Sequence, residues 1–332
     1  MFFLRTFIIV YFICINVLHS QPAYNFNLTI KNSNADLGSL TLGEAYYFPE
    51  YKAGLFNGDS SSFIEGMYKF NNKILYPTAI RVYNNNNRLN QLLFIETGFN
   101  EAEIVVKDSI LQFQTNSKIE LEHKYFLQQM GINNIVEQIP MKKFQAYVMQ
   151  NPKSYIALFV LIDQMFNYRF SPEMRVIADN LDTSIRSTKA FSYFREQYLD
   201  RKKFIDMNVV NEKEKTVPLN FNPDKYTLLD FWWVGCTGCY VDMKKLNQKS
   251  SSLKRQLNII SINTDSRSEF KESSVRFSKQ KLSWKSYWDY DGAMSQKNIF
   301  FYKYPTNLLI DKNGYVVATD IDIDRLEDFI KD

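Results

Sequence analysis

Residues 228–239 read LLDFWWVGCTGC, an apolar run that ends in two cysteines separated by two residues. The run has the composition of a buried strand, and a helix is expected to start at the first cysteine. A cysteine at a helix N-terminus faces the positive end of the backbone dipole. Its thiolate is favoured, its pKa falls and it becomes a nucleophile. A second cysteine one helical turn later can attack the resulting mixed disulfide and release the partner. The spacing therefore points to thiol–disulfide exchange, with Cys236 attacking and Cys239 resolving.

Outward from this stretch the pattern alternates. Strands are expected at 226–232 and 257–263, with helices at 238–250 and 268–281. A Trp- and Tyr-rich stretch at 284–290 and a short helix near 292–298 follow. Two strands, 307–311 and 315–319, are joined by Lys312-Asn313-Gly314, and Asn-Gly is a hairpin signal. Ile323, Leu326, Phe329 and Ile330 form the apolar stripe of a closing helix. This order predicts an α/β domain with a central mixed sheet and helices on both faces, spanning 209–332. Its first residues, 209–224, read as a charged, turn-like linker. The stretch from about 217 holds the remaining elements and is expected to fold and act alone.

Upstream the reading is coarser. Residues 1–20 (MFFLRTFIIVYFICINVLHS) carry one arginine, an apolar stretch and a small polar end, as a secretory signal does. The stretch is short for a membrane-spanning helix, and an uncleaved anchor is the alternative. Residues 21–112 are strand-rich, with a polar loop at 84–87 between two strands, and form a β-rich accessory domain. Residues 113–208 turn helical. Ile119, Leu121, Tyr125, Phe126 and Met130 share one face; a second helix follows Pro152 with Ser154 as its cap; further helices cover 172–187 and 187–202.

The C-terminal residues resemble the thioredoxin superfamily, and more closely the TlpA/ResA-like envelope thioredoxins, whose hallmark is DFW-x-x-x-C-x-x-C or NFW-x-x-x-C-x-x-C. The resemblance covers about residues 225–332. YPTNLLIDKNG, residues 304–314, looks like that family's cis-proline segment and terminal hairpin. It implies that Pro305 sits beside the cysteine pair. It also implies that Trp232, Gly235, Thr237, Gly238 and Tyr304 join Pro305 in binding the partner chain. Asp230, six residues before Cys236, takes the place of a buried aspartate that assists proton transfer at the second cysteine. A carboxyl buried there has a raised pKa and can act as general base toward Cys239; the alternative is a strand-end aspartate pointing to solvent, and the apolar neighbours Leu229 and Phe231 favour the buried reading. Three positions depart from the family: Gly235 where Trp is usual, Thr237-Gly238 where Gly-Pro is frequent, and Lys244 where a proline kinks the helix. The N-terminal region resembles the accessory region of such envelope proteins, with no function attached.

Composition narrows the alternatives. The chain of 332 residues is 45% hydrophobic and 16% aromatic, enough for a substantial core. Without Arg5 the basic residues fall from 40 to 39 against 36 acidic ones, a net +3 that is too mild to imply nucleic acid. Beyond Cys14 in the signal, only Cys236 and Cys239 remain, and His123 is the sole histidine after His19. Zinc would need two more ligands, so no metal is expected. A c-type haem site would need a histidine where Tyr240 stands. A peroxidase of the peroxiredoxin type would want Thr or Ser where Trp233 stands. A purely structural disulfide closing so small a loop gains little. His123 is expected on a helix surface.

The expected function is thus an extracytoplasmic thiol–disulfide oxidoreductase, working as a reductase in the periplasm or cell envelope. It needs no cofactor beyond a redox-active Cys236–Cys239 disulfide. Its partners are protein thiols and disulfides and an upstream electron donor, with membrane association only through an uncleaved N-terminus. The competing class is a binding or assembly protein whose thioredoxin-like domain turns over little.

Overall fold

A computed structural model of the protein describes residues 25–330, except 33–36, 38, 45–59, 62–63, 74–76, 85–89, 97, 108–109, 116, 136 and 300–302. The expected signal at 1–20 lies outside the described residues, as does most of the expected polar loop at 84–87.

Eight strands open the chain: β1 (Asn25–Asn32), β2 (Leu40–Glu44), β3 (Ser60–Ser61), β4 (Met67–Lys73), β5 (Thr78–Asn84), β6 (Asn90–Ile95), β7 (Gly98–Lys107) and β8 (Ile110–Thr115). They form two four-stranded sheets, ordered β4-β1-β7-β8 and β3-β2-β5-β6. Period-two alternation sends Leu28 and Ile30 of β1, Leu40 and Leu42 of β2, and Ile80 and Val82 of β5 into one shared core. Ala79 and Phe94 belong instead to the core that contains the helices.

Those helices are α1 (Lys118–Met130), α2 (Met141–Gln150), α3 (Tyr155–Asn167), α4 (Pro172–Asn180), α5 (Thr183–Arg186) and α6 (Lys189–Phe194), the last continued by a π-helical turn at Arg195–Leu199. The Ser154 hydroxyl caps α3 by accepting from Ala157 N. Helix α2 escapes a sequence reading because Pro140 stands at its N-cap and no side chain caps it. The expected helix at 172–187 is two helices, since Asp182 caps a new start by accepting from Ser184 N.

The third sheet has eight strands. These are β9 (Lys202–Lys203), β10 (Asn208–Val210), β11 (Thr216–Pro218), β12 (Tyr226–Trp232), β13 (Leu257–Asn263), β14 (Lys285–Trp288), β15 (Thr306–Ile310) and β16 (Tyr315–Thr319). Their order is β11-β10-β14-β13-β12-β15-β16-β9. Strands β12, β13 and β14 run parallel, and the other pairings are antiparallel. Helix α7 (Thr237–Leu253) connects β12 to β13, and α8 (Phe270–Lys279) connects β13 to β14.

The α/β class expected from sequence is the class observed, with three local differences. Residues 209–224 are not a linker: they contribute β10 and β11, with Val209 buried. The aromatic stretch at 284–290 is edged by β14, where Trp288 and Ser286 turn inward. The closing helix is a 3-10 turn, Ile323–Asp328, begun by Asp322, whose side chain accepts from Asp324 N. Helices α7 and α8 share one face of the sheet, where Met243 and Phe277 both pack on Trp232, so the α-helices expected on both faces of this sheet lie on one. On the other face Leu229, Phe231, Ile260, Ile262, Leu308 and Ile310 are covered by Phe204, Met207, Leu219 and Ile299, which lie outside any α-helix.

The helical segment and this sheet share a core, in which Phe170, Met174 and Ile177 cluster with Leu228, Leu246, Leu309 and Ile321. Phe170 N donates to Asp320 O at 2.8 Å, and Arg325 donates to both carboxylate oxygens of Glu173 at 3.1 and 3.2 Å. Among the described residues no helix is long and apolar enough to cross a membrane.

Candidate active site

Strand β12 delivers the cysteine pair. Alternation along it puts Leu228, Asp230 and Trp232 on the face that meets α7 and Leu229 and Phe231 on the opposite one. Beyond Trp232 the chain leaves the sheet and is pinned from two sides. The Asp265 carboxylate accepts from Val234 N at 2.9 and 3.2 Å, and the Tyr240 hydroxyl donates to Val234 O at 3.0 Å. This hold sets where α7 begins.

Cys236 is the N-cap of α7, with extended backbone, and its sulfur accepts from Cys239 N at 3.0 Å. A sulfur thus occupies the place usually filled by a Ser or Asp oxygen. The same N–H and the helix dipole favour a thiolate there once the pair is reduced. Cys236 and Cys239 are disulfide-bonded, with their Cα atoms 5.3 Å apart. Cys239 is fully buried while Cys236 keeps 6% of its surface, so Cys236 is the sulfur open to a partner.

The Tyr304–Pro305 peptide is cis. Pro305 Cδ lies 2.9 Å from where a Cβ on Gly238 would stand, so glycine is what lets the proline approach the helix start. Tyr304 packs against the cluster of Trp232, Cys236, Cys239 and Met243, and its hydroxyl meets that of Thr264 at 2.8 Å. Thr237 is exposed between the cysteines.

Asp230 is 1% exposed. Its Oδ2 accepts from the Ser261 hydroxyl at 3.1 Å, and Ser261 Oγ in turn accepts from Trp284 Nε1 at 2.9 Å. Its Oδ1 is buried with no hydrogen-bond partner. Burial first, and the Asp242 charge second, push its pKa up to about 8; the Ser261 hydrogen bond and the Arg169 charge oppose them. A pKa above neutrality favours the neutral carboxyl at pH 7.

Two expectations need correcting. Trp232 cannot touch a partner chain. It is fully buried, stacks on Phe277 with ring centroids 5.7 Å apart, and donates from Nε1 to Ser286 Oγ at 3.3 Å. The exposed indole is that of Trp233, 41% accessible, and it lies over Gly235 so closely that a Cβ there would collide with it. Two adjacent tryptophans at a strand end must point opposite ways, which was the available signal for Trp233. His123 is not a surface residue either: its side chain is 14% exposed and its ring centroid is 4.6 Å from that of Phe94.

Residues 201–319 match the model of the AhpC/TSA family. The chain carries a thioredoxin-like domain. No curated protein matches the chain. Among solved structures it is similar to the thioredoxin domain of a thiol-disulfide oxidoreductase from Bacteroides vulgatus, at 22% identity over 39% of this chain and 96% of that one, TM-score 0.34. A thiol:disulfide interchange protein from a Bacteroides species is 22% identical over 40% of this chain and 91% of that one, TM-score 0.34. A thioredoxin-like protein from Bacteroides caccae is 16% identical over 64% of this chain and 83% of that one, TM-score 0.42. In this thioredoxin-like domain the cysteine pair and the cis-proline meet at the start of α7, and the buried Asp230 carboxyl lies on β12 on the face that the same helix covers.

Proposed function

We propose that the protein is an extracytoplasmic thiol–disulfide oxidoreductase that reduces disulfides in other proteins. The observation that carries this reading is the Cys236 sulfur seated at the N-cap of α7, accepting the Cys239 N–H. In the reduced protein the Cys236 thiolate attacks one sulfur of a substrate disulfide, and the other leaves as a thiolate. Cys239 then loses its proton and attacks Cys236, expelling the second substrate thiol and leaving the Cys236–Cys239 disulfide. A donor dithiol restores the pair. Asp230 is the buried acceptor for the Cys239 proton, and Trp233, Thr237, Tyr304 and Pro305 provide the contact surface.

The direction follows from the residues between the sulfurs. Thr237-Gly238 brings no cation to stabilise the reduced pair heavily, as a strong oxidant requires. Asp230 is mostly neutral at pH 7, so its charge adds nothing to that argument. The expected potential lies nearer about −270 mV than about −120 mV. Location rests on the signal-like residues 1–20 and on the use of cysteine as a single reactive pair.

Dithiothreitol-dependent reduction of a protein disulfide tests the activity. Cys236→Ser abolishes it, and Cys239→Ser accumulates stable mixed disulfides. Faster alkylation of Cys239 than of Cys236 in the reduced protein would reverse the two roles. Equilibration with glutathione tests the direction, and a potential above roughly −150 mV would make the protein an oxidase. Absence of turnover by the wild-type protein would favour a binding or assembly role.

A further inference from the structure

The cation whose charge acts on the buried Asp230 carboxyl does not come from the domain that carries the cysteines. Arg169 lies two residues beyond α3, in the helical segment. Its Nη2 is 2.5 Å from Asp242 Oδ2 and its Nη1 is 2.7 Å from Asp320 Oδ1. Lys303 Nζ lies 2.9 Å from the other oxygen of Asp320 and reaches the carbonyl oxygens of Met165 and Tyr168 at 3.1 and 2.5 Å. The cluster adjoins the redox centre through two elements. Asp242 stands on α7 one turn after Cys239, and Lys303 stands two residues before Pro305.

Asp230 faces this cluster from the sheet. Leu228 clusters with Leu246 of α7, and Trp232 with Cys239 and Met243 of the same helix. Asp230 lies between them and so meets α7 at the turn that holds Asp242. The groups acting on its carboxyl are Asp242 from α7, the Ser261 hydroxyl from β13, and Arg169 from the helical segment; Asp320 and Lys303 complete the cluster beyond Arg169, and Cys239 precedes Asp242 by one turn of α7. A buried guanidinium is costly unless paired, and this one is held by two carboxylates. Docking of the helical segment has other supports, in Phe170 and in the Glu173–Arg325 pair.

We propose that Arg169 is a positioning residue of the redox centre, through which the helical segment sets how readily Asp230 takes the Cys239 proton. The inference rests on the reading that Cys239 resolves the mixed disulfide and Asp230 accepts its proton. In that step the Cys239 S–H proton passes to the Asp230 carboxylate, and Cys239 Sγ bonds to Cys236 Sγ. The bond from Cys236 to the substrate sulfur breaks, its electron pair leaving on that sulfur. Solvent then protonates the released thiolate and takes the proton from Asp230. By neutralising Asp242, Arg169 removes a charge that opposes ionisation of Asp230, and it adds an attraction of its own. Asp230 is thereby ionised often enough near neutral pH to serve as the acceptor.

The test is a direct titration of the Asp230 side-chain carboxyl by carbon-13 NMR, in the full-length oxidised protein. It needs no turnover, so it is read independently of the reductase activity. Asp242→Asn alone lowers the midpoint. Adding Arg169→Met to Asp242→Asn, where Asp242 can no longer compensate by binding a proton, raises the midpoint by roughly half a pH unit or more. Arg169→Lys keeps the charge and stays near wild type. Release of substrate from the mixed disulfide at pH 7 slows about threefold between Asp242→Asn and the double variant, matching the shift. Asp242→Asn with Arg169→Gln serves as a second pair should the methionine variant lose its fold. Coincident midpoints in the presence and absence of Arg169 would overturn the proposal and leave Arg169 a tether only. A moving midpoint in a protein that reduces nothing would preserve the coupling and sink the reductase reading.

Discussion

Gly238 and Gly235 flank Cys236 and are both overlain by a ring, yet the two contacts differ in what can give way. At Gly238 the obstacle to a Cβ is the Pro305 ring, 2.9 Å away and fixed in the backbone. Gly238→Ala must therefore move Pro305 or the start of α7. Overpacking of this kind costs about 1–3 kcal/mol, and disulfide reduction should slow at least about tenfold because both ends of the site are displaced. At Gly235 the obstacle is the far end of the exposed Trp233 side chain, which can swing away. Gly235→Ala should change stability by less than about 0.5 kcal/mol while raising KM for a protein substrate more than it lowers kcat. Denaturant midpoints and steady-state kinetics of the two variants check this, and equal stability losses would refute the distinction. The residues of the candidate site were legible in the sequence because their signals are local: two cysteines one turn apart, a proline before a hairpin, an acid in an apolar run. Trp233 was missed because the last residue of β12 decides which of two tryptophans faces inward. Arg169 was missed because it is brought in from 61 residues before Asp230, and no local pattern encodes that.

At the scale of elements, the packing of β12 against α7 makes Asp230 a source of pH-dependent instability. Its folded pKa of about 8 lies above the ordinary 3.8 expected when unfolded. Between those values the folded state binds more protons than the unfolded one, so stability falls as pH rises through the window. Below it both states are protonated and the penalty vanishes. Above it the penalty is constant, on the order of 6 kcal/mol at most. Asp230→Asn removes the ionisable group but leaves a buried amide donor to satisfy, at about 1–3 kcal/mol. The asparagine variant should therefore be less stable than wild type near pH 4 and more stable at pH 8 and above. Chemical denaturation of both across that range measures the crossing, and a pH-independent difference would deny the raised pKa. The strands and helices of this region were readable because their apolar spacing is regular and their turns carry Asn-Gly and Gly signals. Short elements were not: β10, β11 and β14 are three or four residues each, too brief for a period to register, and α2 lacks a cap.

For the whole molecule, the consequence is where the chain can be cut. The alternating pattern alone suggested that a fragment from residue 217 would stand by itself. In the structure that cut removes β9 and β10 and breaks the β10–β11 hairpin, and with them Phe204, Met207 and Val209, all buried. Each such side chain contributes roughly 1.5–3 kcal/mol, so the loss rivals the 5–15 kcal/mol that typically separates folded from unfolded. It also leaves the outer edges of β14 and β16 unpaired, an invitation to aggregate. A fragment of 217–332 should be insoluble. A fragment of 201–332 keeps all eight strands but uncovers the apolar side that Phe170 and Met174 share with Leu228, Leu246 and Ile321. It should fold, bind a hydrophobic dye that the full-length protein does not, and melt at a lower temperature. The shared core further requires that the helical segment and the thioredoxin-like domain unfold together. Calorimetry of the full-length protein should show them in one transition, and two well-separated transitions assigned to 117–200 and 201–332 would show that the core does not couple them.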